Sequence, residues 1–310
     1  MSISRASFRR ARPEAGAVLM LFLGALMVSF SAVFMELLAV PPTAAAFYRM
    51  LFGGVVLLGI VVWRREWLAG GVWFTRPVLL AGLFFALDLV FWHRSILYVG
   101  TGLATLLANF QAVLLALASV FLFGERPSWR LVIAVLLAFT GLACLVGVDW
   151  TALTAERGLG VALGLLTAVC YACYILALRA ARLAELAPSP FVNIALISLL
   201  SAGMLAVAVP LQGESFAIPT VRDAGLLVTY GVVGQVLGWV FISRGVTLVS
   251  PSRVGLVLLM QPAFAFVWDV MFFGRALTVL QVTGAALALA GIYLGSLKEE
   301  PSAQDGERTG

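Results

Sequence analysis

The sequence predicts an all-α membrane protein of ten transmembrane helices arranged as two inverted five-helix repeats, and three observations predict it. The 310 residues are 62% hydrophobic and only 11% charged, with a mean hydropathy of +1.06. A soluble domain is roughly a quarter charged, so this much apolar surface must face lipid. The apolar residues gather into ten runs, each near the ~20 residues that span a bilayer. The two halves also share polar and small residues at one constant spacing.

The runs cover about 17–40, 43–63, 77–98, 101–123, 129–148, 158–180, 190–211, 224–248, 252–273 and 278–297. Their breaks fall at Pro41-Pro42, Arg64-Arg65-Glu66, Gly100, Glu125-Arg126-Pro127, Asp149 to Arg157, Arg182 to Pro190, Gln212 to Asp223, Ser250-Pro251-Ser252 and Gly274-Arg275. The runs are too long for strands and lack the alternation of a membrane barrel. The first run follows Arg5, Arg9, Arg10 and Arg12, as a signal peptide would, but it exceeds the usual apolar core of one. It reads as an uncleaved first helix. Residues 298–310 read as a polar cytoplasmic tail.

Charge placement orients the helices. The net charge is +5, and Lys298 is the one lysine among 20 basic residues. The arginines lie between apolar runs, which argues against a nucleic-acid partner and for the positive-inside rule. With the N-terminus in the cytoplasm, Arg64, Arg65, Arg76, Arg126, Arg130, Arg179, Arg182, Arg244, Arg253 and Lys298 all fall inside. The outer loops keep Arg157, Arg222 and Arg275, and Arg94 is a mild exception. Both termini are therefore expected in the cytoplasm. The arginine and alanine bias points to a bacterial inner membrane.

Shifted by 150 residues, Gln111 falls on Gln261, Phe123 on Phe273, Gly124 on Gly274, Ser128 on Thr278 and Gly141 on Gly291. Each half then holds five helices, residues 1–150 and 151–297. An odd number of crossings inverts the second half relative to the first. Carriers that work by alternating access use such inverted repeats, with the solute site near the midplane between them.

The chain resembles the EamA-like branch of the drug/metabolite transporter superfamily over nearly its whole length. The residues that carry the likeness are Arg49 in AAFYRMLFGGVVLL, the run WHRSILYVGTGLATLLANFQ from Trp92 to Gln111, FLFGERPS, Met260-Gln261-Pro262, and Gly141 with Gly291. The resemblance implies two five-helix repeats, cytoplasmic termini, and export or exchange of small molecules. One departure stands out: the acid of FLFGE is Glu125 in the first half, but Arg275 holds its place in the second.

Polar residues inside the runs are the site candidates. Asp88 lies about eleven residues into the third run, roughly 16 Å deep at 1.5 Å per residue. An acid at that depth is functional by default, and proton coupling is its natural role; a hydrogen-bonded structural acid is the rival reading. Trp92, one turn on, offers an aromatic wall or an interface anchor. His93 reads as an interface histidine, with proton relay as the alternative. Glu36 and Arg49 flank the Pro41-Pro42 turn and read as a structural pair closing the outer helix ends, though Arg49 could reach a carboxylate. Asn109, Gln111, Gln235 and Gln261 are neutral amides suited to a zwitterion, or to interhelical hydrogen bonds. Trp239 follows Gln235 by one turn, as Trp92 follows Asp88. Tyr171 and Tyr174 are weaker candidates, and Asp269 is expected near Arg275.

Gly160-x-x-x-Gly164, Gly234-x-x-x-Gly238 and Gly291-x-x-x-Gly295 read as helix-packing motifs. Ser128 and Thr278 read as N-caps. Cys144, Cys170 and Cys173 sit inside apolar runs, and with His93 the one histidine no metal or other cofactor is expected. The expected partners are the bilayer, a small-molecule substrate and, at most, a second copy in a homodimer. The expected function is secondary transport, with export the favoured direction, of a small neutral or zwitterionic metabolite such as an amino acid. An uncoupled facilitator or exchanger is the near alternative. A membrane enzyme lacks a catalytic set, and a binding or scaffold protein lacks a soluble domain or long loops.

Overall fold

The computed structural model describes residues 3–66, 74–125, 129–146, 155–185, 187–274 and 278–296, with side chains from residue 15 except at 100–102, 145–146, 155, 269 and 295–296. Among these residues all regular structure is helical. In chain order the helices are α1 (Ile3–Ser29), α2 (Ser31–Leu37), α3 (Pro42–Trp63), α4 (Arg76–Ala108), α5 (Gln111–Phe123), α6 (Trp129–Val146) and α7 (Ala155–Leu183). There follow α8 (Pro190–Leu211), α9 (Val221–Tyr230), a π-helical segment (Gly231–Gly238), α10 (Trp239–Gly245), α11 (Pro251–Leu258), α12 (Met260–Phe273) and α13 (Val279–Ser296). Eight stretches are long and apolar enough to cross a membrane, and two shorter apolar helices lie within α6 and α13. Trp63, Phe121, Leu136 and Leu211 are exposed on the outside of this multi-pass protein, as lipid-facing residues should be.

Local chemistry sets several boundaries. Pro42 opens α3 and Pro190 opens α8, where a missing N–H costs nothing. Thr220 caps α9 by accepting from the Asp223 N–H at 3.1 Å. Thr278 caps α13 as expected, accepting from the Gln281 N–H at 3.3 Å; Ser128 lies outside the described residues. Gly124 and Gly274 end α5 and α12 in the left-handed region, at φ of 67° and 61°. A glycine takes that conformation without the penalty a Cβ brings.

Three boundaries depart from expectation. The first helix extends back to Ile3 through the arginine-rich start and breaks at Phe30. The expected break at Gly100 lies within one helical element, Arg76 to Ala108, although the spans divide there as expected, into Arg76–Val99 and Leu103–Phe123. The chain nevertheless reverses there. A Cβ on Gly164 would lie 3.0 Å from Ser95 Oγ and 2.8 Å from Leu107 Cβ, whereas a straight helix sets residues twelve apart by roughly 18 Å. Thirdly, breaks appear before each of the repeated glutamines. Asn109 turns its side chain onto the Thr105 carbonyl at 2.7 Å, competing with the helix ladder. In the second half α11 stops at Leu258, whose carbonyl Pro262 cannot serve because proline lacks an N–H.

Packing interleaves the halves. The most extensive helix pairings, α4 with α7, α6 with α13, α3 with α8, α4 with α8 and α5 with α11, each join an element before residue 150 to one after it. The α6–α13 seam is reciprocal. A Cβ on Gly141 would meet the Ala288 nitrogen at 2.3 Å and the Gly284 oxygen at 2.4 Å. A Cβ on Gly291 would meet the Ala138 nitrogen and the Ala134 oxygen, both at 2.6 Å. Gly24 and Gly53 let α1 and α3 approach the π segment and α10 as closely, with Cβ positions 2.6 Å from Ile242 and Gln235 respectively. Gly160 and Gly164 do the same for α7 against α4.

Candidate functional site

Chemistry-bearing side chains collect where α3, α4, α7, α9, α10 and α12 meet. Phe85 is the common neighbour. It precedes Asp88 on α4 by three residues, which puts both on one face. Tyr174 of α7 stacks on Phe85 with ring centroids 4.2 Å apart and planes 7° apart. Trp239 of α10 packs edge-on to both, 5.0 Å from Phe85 and 4.8 Å from Tyr174. Tyr171, a turn before Tyr174, lies 6.1 Å from Trp239 and accepts a hydrogen bond at 3.0 Å from Gln261 Nε2 of α12. Edge-to-face and offset-stacked rings are the arrangements that aromatic quadrupoles favour.

Arg49 of α3 reaches the same cluster. Its guanidinium carbon is 5.9 Å from the centre of the Phe85 ring and 5.1 Å from that of Tyr230, and Nη1 donates to the Tyr230 hydroxyl at 3.2 Å. Arg49, Asp88 and His93 are all buried, and Arg49 lies within electrostatic reach of the other two. No ion pair joins Arg49 to Asp88, whereas Arg64 and Glu66 do form one at 2.7 Å.

Several buried polar atoms here have no partner: Arg49 Nε, Tyr174 Oη, Trp239 Nε1, Gln235 Oε1 and His93 Nδ1. Leaving one such group unpaired costs about 1–3 kcal/mol, and each asks for an explanation. A buried cation, a buried acid, unused donors and a wall of rings together can receive a small polar solute, whose own groups supply the missing partners.

The sequence candidates divide. Asp88, Gln235, Trp239 and Gln261 converge on or beside the cluster. Gln235 is fully buried and donates to the Ser198 hydroxyl at 2.8 Å. Trp92 is half-buried and packs against the His93 ring at 5.0 Å. One expectation is corrected, and three more candidates are placed. Glu36 is exposed while Arg49 turns inward to Tyr230, so the two do not pair. His93 is buried on α4. Asn109 makes a local bond at the α4–α5 break. Gln111, the repeat partner of Gln261, is fully buried and donates to the Gly255 carbonyl at 3.4 Å. Asp269 and Arg275 fall outside the described side chains.

Phe85 and Tyr230 escaped sequence reasoning. A phenylalanine in an apolar run carries no signal, and Tyr230 reads as an ordinary membrane aromatic. A second feature was also missed. Near the ends of α3, α5 and α7, Arg179 Nη1 donates to the carbonyls of both Val246 and Val249 and lies 5.7 Å from the centre of the Phe123 ring. Beside it the Ser252 hydroxyl donates to Glu125 Oε2 at 3.0 Å, and the Ser252 N–H to Ser119 Oγ at 2.8 Å. The acid of FLFGE therefore holds the start of α11. The Ser189 hydroxyl meets Glu66 at the same end.

The profile of the EamA-like transporter family matches residues 15–147 and, a second time, residues 158–297. The pseudopaline exporter CntI of Pseudomonas aeruginosa is 27% identical over 265 residues, 84% of this chain and 88% of that protein. The uncharacterized transporter YxxF of Bacillus subtilis is 22% identical over 246 residues, 76% of this chain and 77% of its own length. One crystal structure, 22% identical in sequence, shares the fold with a TM-score of 0.76 over 90% of this chain and 96% of its own.

Proposed function

Because the chain belongs to the EamA-like transporter family, we propose that it is a secondary transporter that exports a small neutral or zwitterionic metabolite, such as an amino acid, by alternating access. The observation that carries this reading is the buried cluster around Phe85, where Arg49 and Asp88 are both buried and donors stand unused. A solute with acceptors and a cationic or hydroxyl group completes that set. Export is the direction because a relative that covers most of the chain is named an exporter.

On this reading the chain has ten membrane helices in two inverted repeats, residues 1–150 and 151–297. Support comes from the doubled family match, from the reciprocal glycine contacts of α6 and α13, and from helix breaks at Asn109 and Leu259 that are 150 residues apart. The interleaved pairings put the cluster between the halves, as alternating access requires. The arginine asymmetry sets both termini in the cytoplasm, and the composition suits a bacterial inner membrane. The Arg179 and Glu125 contacts then close the cytoplasmic side.

Asp88 is the candidate proton carrier, since a buried acid between helices is a natural relay. An uncoupled exchanger is the second reading, in which the buried Arg49 and Asp88 hold polar groups of the solute and no proton is carried. Counterflow tests both. Purified protein enters liposomes loaded with unlabelled amino acids, and a labelled pool is supplied outside. Accumulation that Asp88→Asn and Gln261→Ala reduce supports the carrier reading. If Asp88→Asn transports at the wild-type rate with the wild-type pH profile, proton coupling through Asp88 is wrong.

A further inference from the structure

We propose that Arg64, Arg182 and Arg244, gathered around Phe191 at one end of the bundle, bind the phosphate of an anionic phospholipid from the surrounding leaflet. The site lies apart from the Phe85 cluster, and it stands whether or not the chain carries an amino acid.

Three helix ends deliver the arginines. Arg64 closes α3, Arg182 lies in the last turn of α7, and Arg244 lies in the last turn of α10. Phe191, in the first turn of α8, stands between two of them. The guanidinium carbons of Arg64 and Arg244 lie 5.3 and 5.2 Å from its ring centre, so the two cations can be no farther apart than those distances together. Arg182 is within electrostatic reach of Arg244. Its Nη1 donates to the Pro188 carbonyl at 2.5 Å, just before the Ser189 N-cap of α8, whereas its Nε is buried and has no partner. The positive end of the α8 dipole adds to the same field.

Little offsets this charge. Glu66 pairs with Arg64 at 2.7 Å, and its second oxygen accepts from the Ser189 hydroxyl. Both oxygens of that acid are therefore engaged. Glu185, in the loop after α7, is exposed, and neither Arg182 nor Arg244 is ion-paired among the described residues. Arginines that only orient helices snorkel outward into water. Here like charges are drawn together on one ring, which attracts a guanidinium without neutralising it. A phosphate neutralises several at once, and guanidinium forks match its oxygens bidentately.

The surroundings favour a lipid over a soluble anion. Trp63, next to Arg64, is 82% exposed, as an interface anchor is. Val55, Leu58 and Val62 lie exposed at helical spacing on α3, an apolar strip for acyl chains that leads away from Arg64. Leu183 and Leu248, close after Arg182 and Arg244 in the chain, are exposed as well. Basic pockets between membrane helices are where lipid headgroups bind.

The test titrates phosphatidylglycerol, phosphatidylcholine and inorganic phosphate onto the purified full chain in neutral detergent at constant ionic strength. The rise in melting temperature gives the apparent Kd of each. A charge-assisted hydrogen bond corresponds to about tenfold or more in affinity. Phosphatidylglycerol should therefore bind at least about tenfold more tightly than phosphatidylcholine, and inorganic phosphate should not displace it.

Arg244→Gln should cut that preference at least about threefold, and Arg64→Gln combined with Arg244→Gln should abolish it. Phe191→Leu keeps every charge but lets the cations part, so it should cut the preference roughly two- to threefold. Arg76→Gln removes an equal charge from the start of α4 and should leave the preference unchanged. Melts without lipid, within a few degrees of wild type, show that each variant is folded. Equal binding of the two lipids overturns the proposal. An Arg76→Gln loss as large as that of Arg244→Gln also overturns it, since diffuse surface charge then explains the binding. Displacement by inorganic phosphate overturns it too, in favour of a soluble-anion site. None of these results bears on the carrier reading, which counterflow tests separately.

Discussion

Gly141 meets Gly284 and Ala288, and Gly291 meets Ala134 and Ala138, so the seam between α6 and α13 reads the same from either half. The cluster around Phe85 has no such reading. Its rings come from α4, α7, α9 and α10, its cation from α3, and of the two repeated glutamines only the one on α12 joins it. The clearest contrast is between the repeated glutamines. Gln261 is half-exposed and bonded to Tyr171; Gln111 is fully buried and bonded to the Gly255 backbone. Repeat symmetry persists where backbone touches backbone and lapses where a solute would be touched. A helix seam needs only small residues at fixed intervals, and both halves can supply those. A small asymmetric solute cannot be complementary to two identical half-sites at once.

The largest expected effect lies at the seam. Gly141→Leu and Gly291→Leu each drive a side chain into backbone, where overpacking costs about 1–3 kcal/mol or more. Both variants should lose thermal stability to a similar degree in detergent melts. Gly203→Ala, where a Cβ meets nothing within 4 Å, should be neutral or slightly stabilising. Unequal losses from the two leucine variants would break the symmetry argued for the seam.

Next comes the cluster. Trp239→Ala removes a fully buried ring, a change that typically costs about 3–5 kcal/mol. Trp239→Phe keeps most of the contact and removes only the unpartnered Nε1. It should therefore transport poorly while melting within a few degrees of wild type. A normal transport rate in Trp239→Phe would remove the indole nitrogen from the site.

The glutamines sharpen the comparison at smaller scale. Gln111→Ala should lower stability by about 1 kcal/mol, the usual worth of an interhelical hydrogen bond in a membrane, and leave counterflow competition unchanged. Gln261→Ala should do the reverse, shifting transport more than stability. If both act alike, the asymmetry of the site is illusory. The smallest effect belongs to Thr278→Ala, which removes an N-cap worth about 1 kcal/mol far from the cluster, and should shift melting alone.

The apolar runs are legible because bilayer thickness fixes helix length, and Pro42, Pro190, Gly124 and Gly274 mark ends by backbone chemistry that does not depend on tertiary context. The reversal inside α4 is legible at Gly100, since a glycine is free to turn, and the spans divide on either side of it. Of the site, Asp88, Gln235, Trp239 and Gln261 are visible as polar or amphipathic groups at mid-depth. Arg49 pairs with Glu36 on paper because nearness along the chain is all a sequence offers. In the fold the arginine instead follows the inward face of α3 toward Tyr230. Phe85 cannot be picked out, being one apolar residue among many, and its importance comes only from its neighbours.

The helical corner of α4 bears on how the chain enters the bilayer. An ordinary hairpin drags a loop of unpaired peptide groups across the hydrocarbon, and each such group resists dehydration by several kcal/mol. Three residues separate the spans Arg76–Val99 and Leu103–Phe123, so the corner exposes few such groups and the two arms can partition together. A force-sensing arrest peptide placed at successive points downstream should record one pull for the pair of arms, not two.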